Sequence, residues 1–437
     1  GTGYGMQHYI VASRRSAVQS GQQQHANIAP RVKTVDVTAL VRKTQQIVAL
    51  TSAQVAGMTT AQIAALETHQ IAAIETLDIR ALTSAQVAAL TTEQAQALTA
   101  AQVAALETAD LRALSTSAFG TFSSEQLAAL TTAQTAGLTT GQLRALSTEQ
   151  ITQLDNADVA ALTTAQLITL TTDQVAALTS DQIVAMTGAQ VASLTTAQVF
   201  NLTTTQIAAL ETNDLRSLTT LQASVLTSEQ IESLSSTQFA ALETVDLRAV
   251  APASLAGLST SHMGAMTSAQ LAAMTTTQVA ALSTTQIAAI PTANLAALNT
   301  AQIKALPDAS VTALTSDQIV ALNTLQFATL STDQIRALGT EQIAAIETAD
   351  IKALTAQQVG ALDSVQAPAL KASQIAAIDA LDIKSLTTDA LIVLDSSQIA
   401  ALTAAQAAAL TVTQVAALTT EQVESLETTD LAAMSAA

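Results

Sequence analysis

A chain of 437 residues that is 49% apolar but only 2% aromatic cannot build its core on large rings, so Ala, Leu, Val and Ile must form it in thin layers. A formal net charge of −18, two Tyr and no Trp exclude phosphate backbones and stacked bases, so no nucleic acid is expected as a partner. The absence of Cys excludes disulfides and thiolate metal sites, and no apolar run is long enough to give a membrane-spanning segment.

Residues 1–41 read as a flexible basic leader. Ser16 to Pro30 is rich in Gln, Ser and small residues without helical or strand period. Residues 1–49 hold six of the sixteen cations (Arg14, Arg15, Arg31, Lys33, Arg42, Lys43) against the single acid Asp36, which leaves the remainder strongly acidic. The start of the chain lacks the basic-then-apolar layout of a secretory signal.

Residues 42–437 read as one continuous array with an eight-residue unit. From Leu50 to Met434 every eighth residue is large and apolar, forty-nine positions without insertion or deletion. Numbering the octad from that residue, position 6 is Val, Ile, Leu, Met or Phe in 43 of 48 complete units, and position 5 is Gln in 34. Positions 4 and 7 vary and carry charge, so they are expected to face water.

A uniform helix turns about 100° per residue, so an octad advances about 80° beyond two turns and the leucines would spiral around the rod. A β-solenoid fits poorly as well, because positions 1 and 6 have opposite parity, Ala is a poor strand former and turn glycines are scarce. The octad instead spells a helix start. In Leu82, Thr83, Gln86 and Val87, Thr83 and Gln86 stand in the capping-box relation, and Leu82 and Val87 in that of a hydrophobic staple. Each unit is then a helix of about six residues, about 9 Å long, unstable alone and held by neighbours through positions 1, 6 and 8. The expected fold is an all-α solenoid of short capped helices. Pro252 at position 3 fits the first helical residue, whereas Pro291 and Pro307 at position 2 do so only if the cap moves by one.

An acid or Asn replaces the position-5 Gln at Asp78, Asp110, Asp158, Asp214, Asp246, Asn294, Asp350, Asp382 and Asp430, with gaps of 4, 6, 7, 4, 6, 7, 4 and 6 octads, a superperiod of 136 residues. A cation follows two residues later in six of them: Asp78 with Arg80, Asp110 with Arg112, Asp214 with Arg216, Asp246 with Arg248, Asp350 with Lys352, and Asp382 with Lys384. Residues two apart on a helix do not face each other, so pairing across stacked turns, a charge ladder, is the functional reading beside that of plain tandem duplication.

Catalysis needs convergent polar groups, and His8, His25, His69 and His262 are scattered, with His262 at the Gln position as a cap substitute. No catalytic residue, metal ligand or cofactor is assigned, and the chain is expected not to be an enzyme. Units such as Leu170 to Leu178, Leu-Thr-Thr-Asp-Gln-Val-Ala-Ala-Leu, resemble the arrays of large repetitive proteobacterial exoproteins labelled haem-utilisation or adhesion proteins. The resemblance implies an extracellular or cell-surface role; haem binding does not carry over, since no repeated ligand pair accompanies the octads.

The expected function is structural: head-to-tail assembly of copies of this chain into filaments or a surface layer, an acidic last stretch (Glu421, Glu424, Glu427, Asp430) meeting a basic first one. The alternative is a scaffold for another protein, as an adhesin stalk or secreted effector. Ice binding through Thr rows ranks below both, because capping hydroxyls are already engaged.

Overall fold

The computed structural model describes residues 44–434; the leader expected at residues 1–41 lies outside them. The described chain is an all-α repeat array of helices four to seven residues long, with 3-10 turns at Pro252–Gly257, Ala367–Ala369 and Ile383–Ser385 and no strand. No described helix is long and apolar enough to cross a membrane.

Each α-helix starts at octad position 3 because position 2 is its N-cap. Thr83, with φ −86° and ψ 158°, precedes the helix Ser84–Ala88. Position 1 is extended too, as at Leu98 with φ −58° and ψ 132°, so two consecutive extended residues stop one helix and aim the next. No described residue has a positive φ. The turn therefore needs no glycine, and scarce glycines do not limit the number of turns.

The described residues fall into two compact units, one up to Leu162 and one from Thr163. Within the first, Ser84–Ala88 packs on Thr108–Ala113, and Thr92–Ala97 lies between Thr68–Ala73 and Thr116–Phe119. Within the second, Thr220–Ala223 packs on Thr244–Ala249, and Thr324–Thr329 lies between Thr300–Ala305 and Thr348–Lys352. In both units a helix thus meets the helix three octads away. Position 6 forms the driest column, at 0% exposure in Val87, Leu143, Phe239 and Phe327, and position 1 closes the layer, at 4% in Leu82 and Leu322. Position 8, expected in the core, is mostly half-buried; its place is taken by the polar position 5, as at Gln86 and Gln278.

The prolines fix the frame. Pro252 opens its 3-10 helix after the N-cap Ala251, as position 3 requires. Pro291 and Pro307 do not shift the cap: each is itself the N-cap, with φ −58° and −59°. Their octads carry Asn294 and Ser310 at position 5, so the N-cap amide that Pro lacks is missing where no Gln would receive it. Gly257, which ends the 3-10 turn, lies so close to Ser228 that a Cβ would come within 2.0 Å of its carbonyl oxygen. Gly257→Ala is expected to lower stability by about 1–3 kcal/mol, measured by urea unfolding, whereas Gly264→Ala, with nothing within 4 Å, should not.

Candidate functional site

The feature that recurs through the array is the position-5 side chain. Gln86 Oε1 accepts from the Thr83 N–H at 2.7 Å, while Thr83 Oγ1 accepts from the Gln86 N–H at 3.4 Å, a reciprocal capping box. Leu82 and Val87, on either side of it, are both buried. The amide nitrogen then does something else. Gln86 Nε2 donates to the carbonyls of Val55 at 2.8 Å and Met58 at 2.7 Å, 31 and 28 residues earlier. Val55 lies in the last turn of the helix Ser52–Ala56, and Met58 follows its C-cap Gly57, where helix carbonyls run short of donors. One side chain therefore caps the start of its own helix and the end of the helix a turn below.

The same pair of bonds recurs inside each unit. Gln102 binds Ile71 and Ile74 at 2.8 and 2.7 Å, Gln222 binds Val191 and Leu194 at 2.8 and 2.7 Å, and Gln406 binds Ile375 and Ile378 at 2.8 and 2.7 Å. His262 performs both tasks with a ring: Nδ1 accepts from the Ser259 N–H at 2.9 Å, and Nε2 lies 2.6 Å from the Leu234 carbonyl. That geometry assigns the tautomer protonated on Nε2. His262→Gln is expected to leave stability within about 0.5 kcal/mol of the parent and His262→Ala to lower it by about 1–3 kcal/mol, read from the unfolding midpoint.

The six acid–cation octads are built differently. Asp78, Asp110, Asp214, Asp246 and Asp350 are buried and Asp382 half-buried, while Arg80, Arg112, Arg216, Arg248, Lys352 and Lys384 are exposed. The ion pairs among the described residues are His69 with Glu67 and Arg336 with Asp333, so no ion pair joins the acids of these octads to their cations. The acids turn inward along the ladder. Asp78 Oδ1 accepts from Ser52 Oγ at 2.7 Å and Asp110 Oδ1 from Ser84 Oγ at 2.6 Å, each 26 residues earlier. Their N-caps, Glu75 and Glu107, make no side-chain cap bond.

Loss of solvent raises the Asp214 and Asp246 carboxyls above the usual range, Asp246 to about 6, and the neighbouring charges of Glu211 and Glu243 add to it. Asp350 is raised for the same reason, with Thr324 opposing through a hydrogen bond and Glu347 adding to the rise. Asp158 and Asp382 are raised too, burial again being the first cause.

Outside the ladder the surface is Thr, Ser and Ala broken by single apolar side chains at position 4: Leu77, Leu221, Leu325, Val365 and Leu381 are 67–70% exposed. An open groove of about 400 Å³ runs beside the exposed Phe200, lined by Val225, Leu226 and Ala253. Among the described residues, no three His, Asp or Glu side chains gather as metal ligands would.

The ALTTAQ repeat family matches residues 34–68, 71–108, 103–140, 151–188, 207–244, 239–276, 263–292, 287–324, 319–345, 343–379 and 375–412. No curated protein and no solved structure matches the chain.

Proposed function

Because the chain belongs to the ALTTAQ repeat family, we propose that it is a structural repeat protein that assembles head to tail, copy on copy, into filaments or a layer outside the cell or on its surface. The observation that supports this is a mismatch between the inner turns and the first and last described ones. Inside the array position 6 is dry, yet Val415, Val423 and Leu431 are 38–41% exposed. The carbonyls of Val415 and Leu418, and of Val423 and Leu426, stand where the ladder would receive the Gln amides of a further turn, and no described Gln reaches them.

The first described turn offers the complement. Gln54 and Gln62 cap their own helices through Oε1, and no described residue accepts from their Nε2 groups. Stacking a second copy there would give these amides the carbonyl acceptors they have elsewhere in the array, and would bury the apolar row.

The test is sedimentation and electron microscopy of the purified chain over a range of concentration and salt. Polymers are expected, and the Gln54→Ala, Gln62→Ala double variant should shift the chain towards monomer with its helix content kept. A monodisperse parent protein at high concentration would overturn the proposal. A second reading, a scaffold for another protein such as an adhesin stalk or effector, draws on the exposed position-4 leucines and the Phe200 groove. Pull-down with Leu221→Ser and Phe200→Ser variants separates the two, since neither residue belongs to the stacking turns.

A further inference from the structure

The aspartates at position 5 occupy a place designed around a hydrogen-bond donor. In Gln octads such as those of Gln86, Gln222 and Gln406, the group facing the carbonyl 28 residues earlier is an N–H. Asn294 shows how a shorter side chain meets the same demand: Nδ2 donates to the Met266 carbonyl at 2.7 Å, while Oδ1 accepts from Ser268 Oγ at 2.6 Å, 26 residues earlier. Asp78 and Asp110 repeat half of this arrangement, each accepting the hydroxyl 26 residues earlier through Oδ1. The carbonyl that Nδ2 meets at Asn294 lies 28 residues earlier, the interval that the Gln amides also span. An ionised carboxylate there sets oxygen against oxygen; a carboxylic acid, isosteric with Asn in shape and donor, completes the bond. Asp158 Oδ2 and Asp430 Oδ2 are buried without any hydrogen-bond partner.

We propose that Asp246 and Asp350 are proton-binding sites, and that protonation closes these two gaps in the cross-turn ladder so that the array tightens as the pH falls. The 2.7 Å separation at Asn294 accommodates a proton and leaves no space for a metal ion between the oxygens.

The surroundings of Asp246 and Asp350 support this assignment. The helices packed on that of Asp246, Thr220–Ala223 and Ser268–Ala273, carry no titratable residue, which leaves Glu243 and Arg248 of its own octad. Those packed on the helix of Asp350, Thr324–Thr329 and Ala372–Ala377, carry none either; Lys371 precedes the second, and Glu347 and Lys352 share the octad of Asp350. Burial raises both carboxyls. The sign follows: a carboxyl that holds its proton more tightly when folded stabilises the fold fully below the unfolded value of about 4, and that contribution is lost as pH rises through the folded value, about 6 at Asp246.

The test compares the full chain with the Asp246→Asn, Asp350→Asn double variant by thermal unfolding and by carboxyl ¹³C NMR. At about pH 7.5 the variant should unfold at least about 2 °C above the parent, with the gap closing by about pH 4.5. A carboxyl titrating near 6 in the parent should vanish in Asp246→Asn. A variant no more stable than the parent at neutral pH, or the absence of such a titration, overturns the proposal. So does stabilisation of the parent, and not the variant, by calcium or sodium chloride, which would make the site a cation site. Neither readout depends on whether copies assemble when single chains are kept dilute.

Discussion

Replacing Gln278 with Glu is expected to be the most damaging change of a single atom in the array. Gln278 Nε2 lies 2.8 Å from the Leu247 carbonyl and 2.7 Å from that of Val250, and Oε1 accepts from the Thr275 N–H at 2.8 Å. Glu keeps the length of the side chain and the acceptor for Thr275, but it sets a second carboxylate oxygen against the two carbonyl oxygens. A buried charge left without a partner costs about 3–5 kcal/mol. Gln278→Ala, which removes cap and ladder together without adding charge, should cost less, about 1–3 kcal/mol. The measurement is urea unfolding of both variants at neutral and acidic pH: Gln278→Glu must be less stable than Gln278→Ala near pH 7 and recover on protonation. Equal stabilities at neutral pH would mean that the ladder nitrogen contributes little.

Phe327→Ala is the second large effect. Phe327 is fully buried at position 6, in a helix between Thr300–Ala305 and Thr348–Lys352, and its carbonyl accepts from Gln358 at 3.0 Å. Truncating such a ring costs about 3–5 kcal/mol through lost transfer energy and the cavity left behind. Because each octad is stabilised mainly by its neighbours, the loss should be local. Amide exchange is expected to accelerate in residues 300–352 and to remain unchanged near residue 222. Uniform acceleration throughout Thr163 to Met434 would show instead that this unit unfolds as one cooperative block.

Much of the architecture was legible because the octad is a chain of local rules. The Thr83–Gln86 box, the extended cap and the early stop each act within a few residues, and local hydrogen bonding is readable from local sequence. Half of the glutamine's role was overlooked although a signal was present: position 5 is Gln in 34 octads and never Glu. A capping box accepts either residue, so preference for the amide marks a second use, that of its nitrogen. The charge ladder went the other way. Asp246 and Arg248 look like a recurring pair in sequence, but one points into the stack and the other into water.

By itself, then, the sequence determined the unit: an eight-residue period, a helix beginning at position 3, dry columns at positions 1 and 6, and exposed positions 4 and 7. These follow from capping and from apolar spacing, which operate over one or two turns of chain. Only the tertiary structure decided that carbonyls 28 and 31 residues back receive the glutamine amide, and that position 5 outranks position 8 in burial. It also decided that the same place makes a buried aspartate a missing donor. How many octads close a turn depends on the small angles that successive caps impose, and no local residue preference encodes their sum.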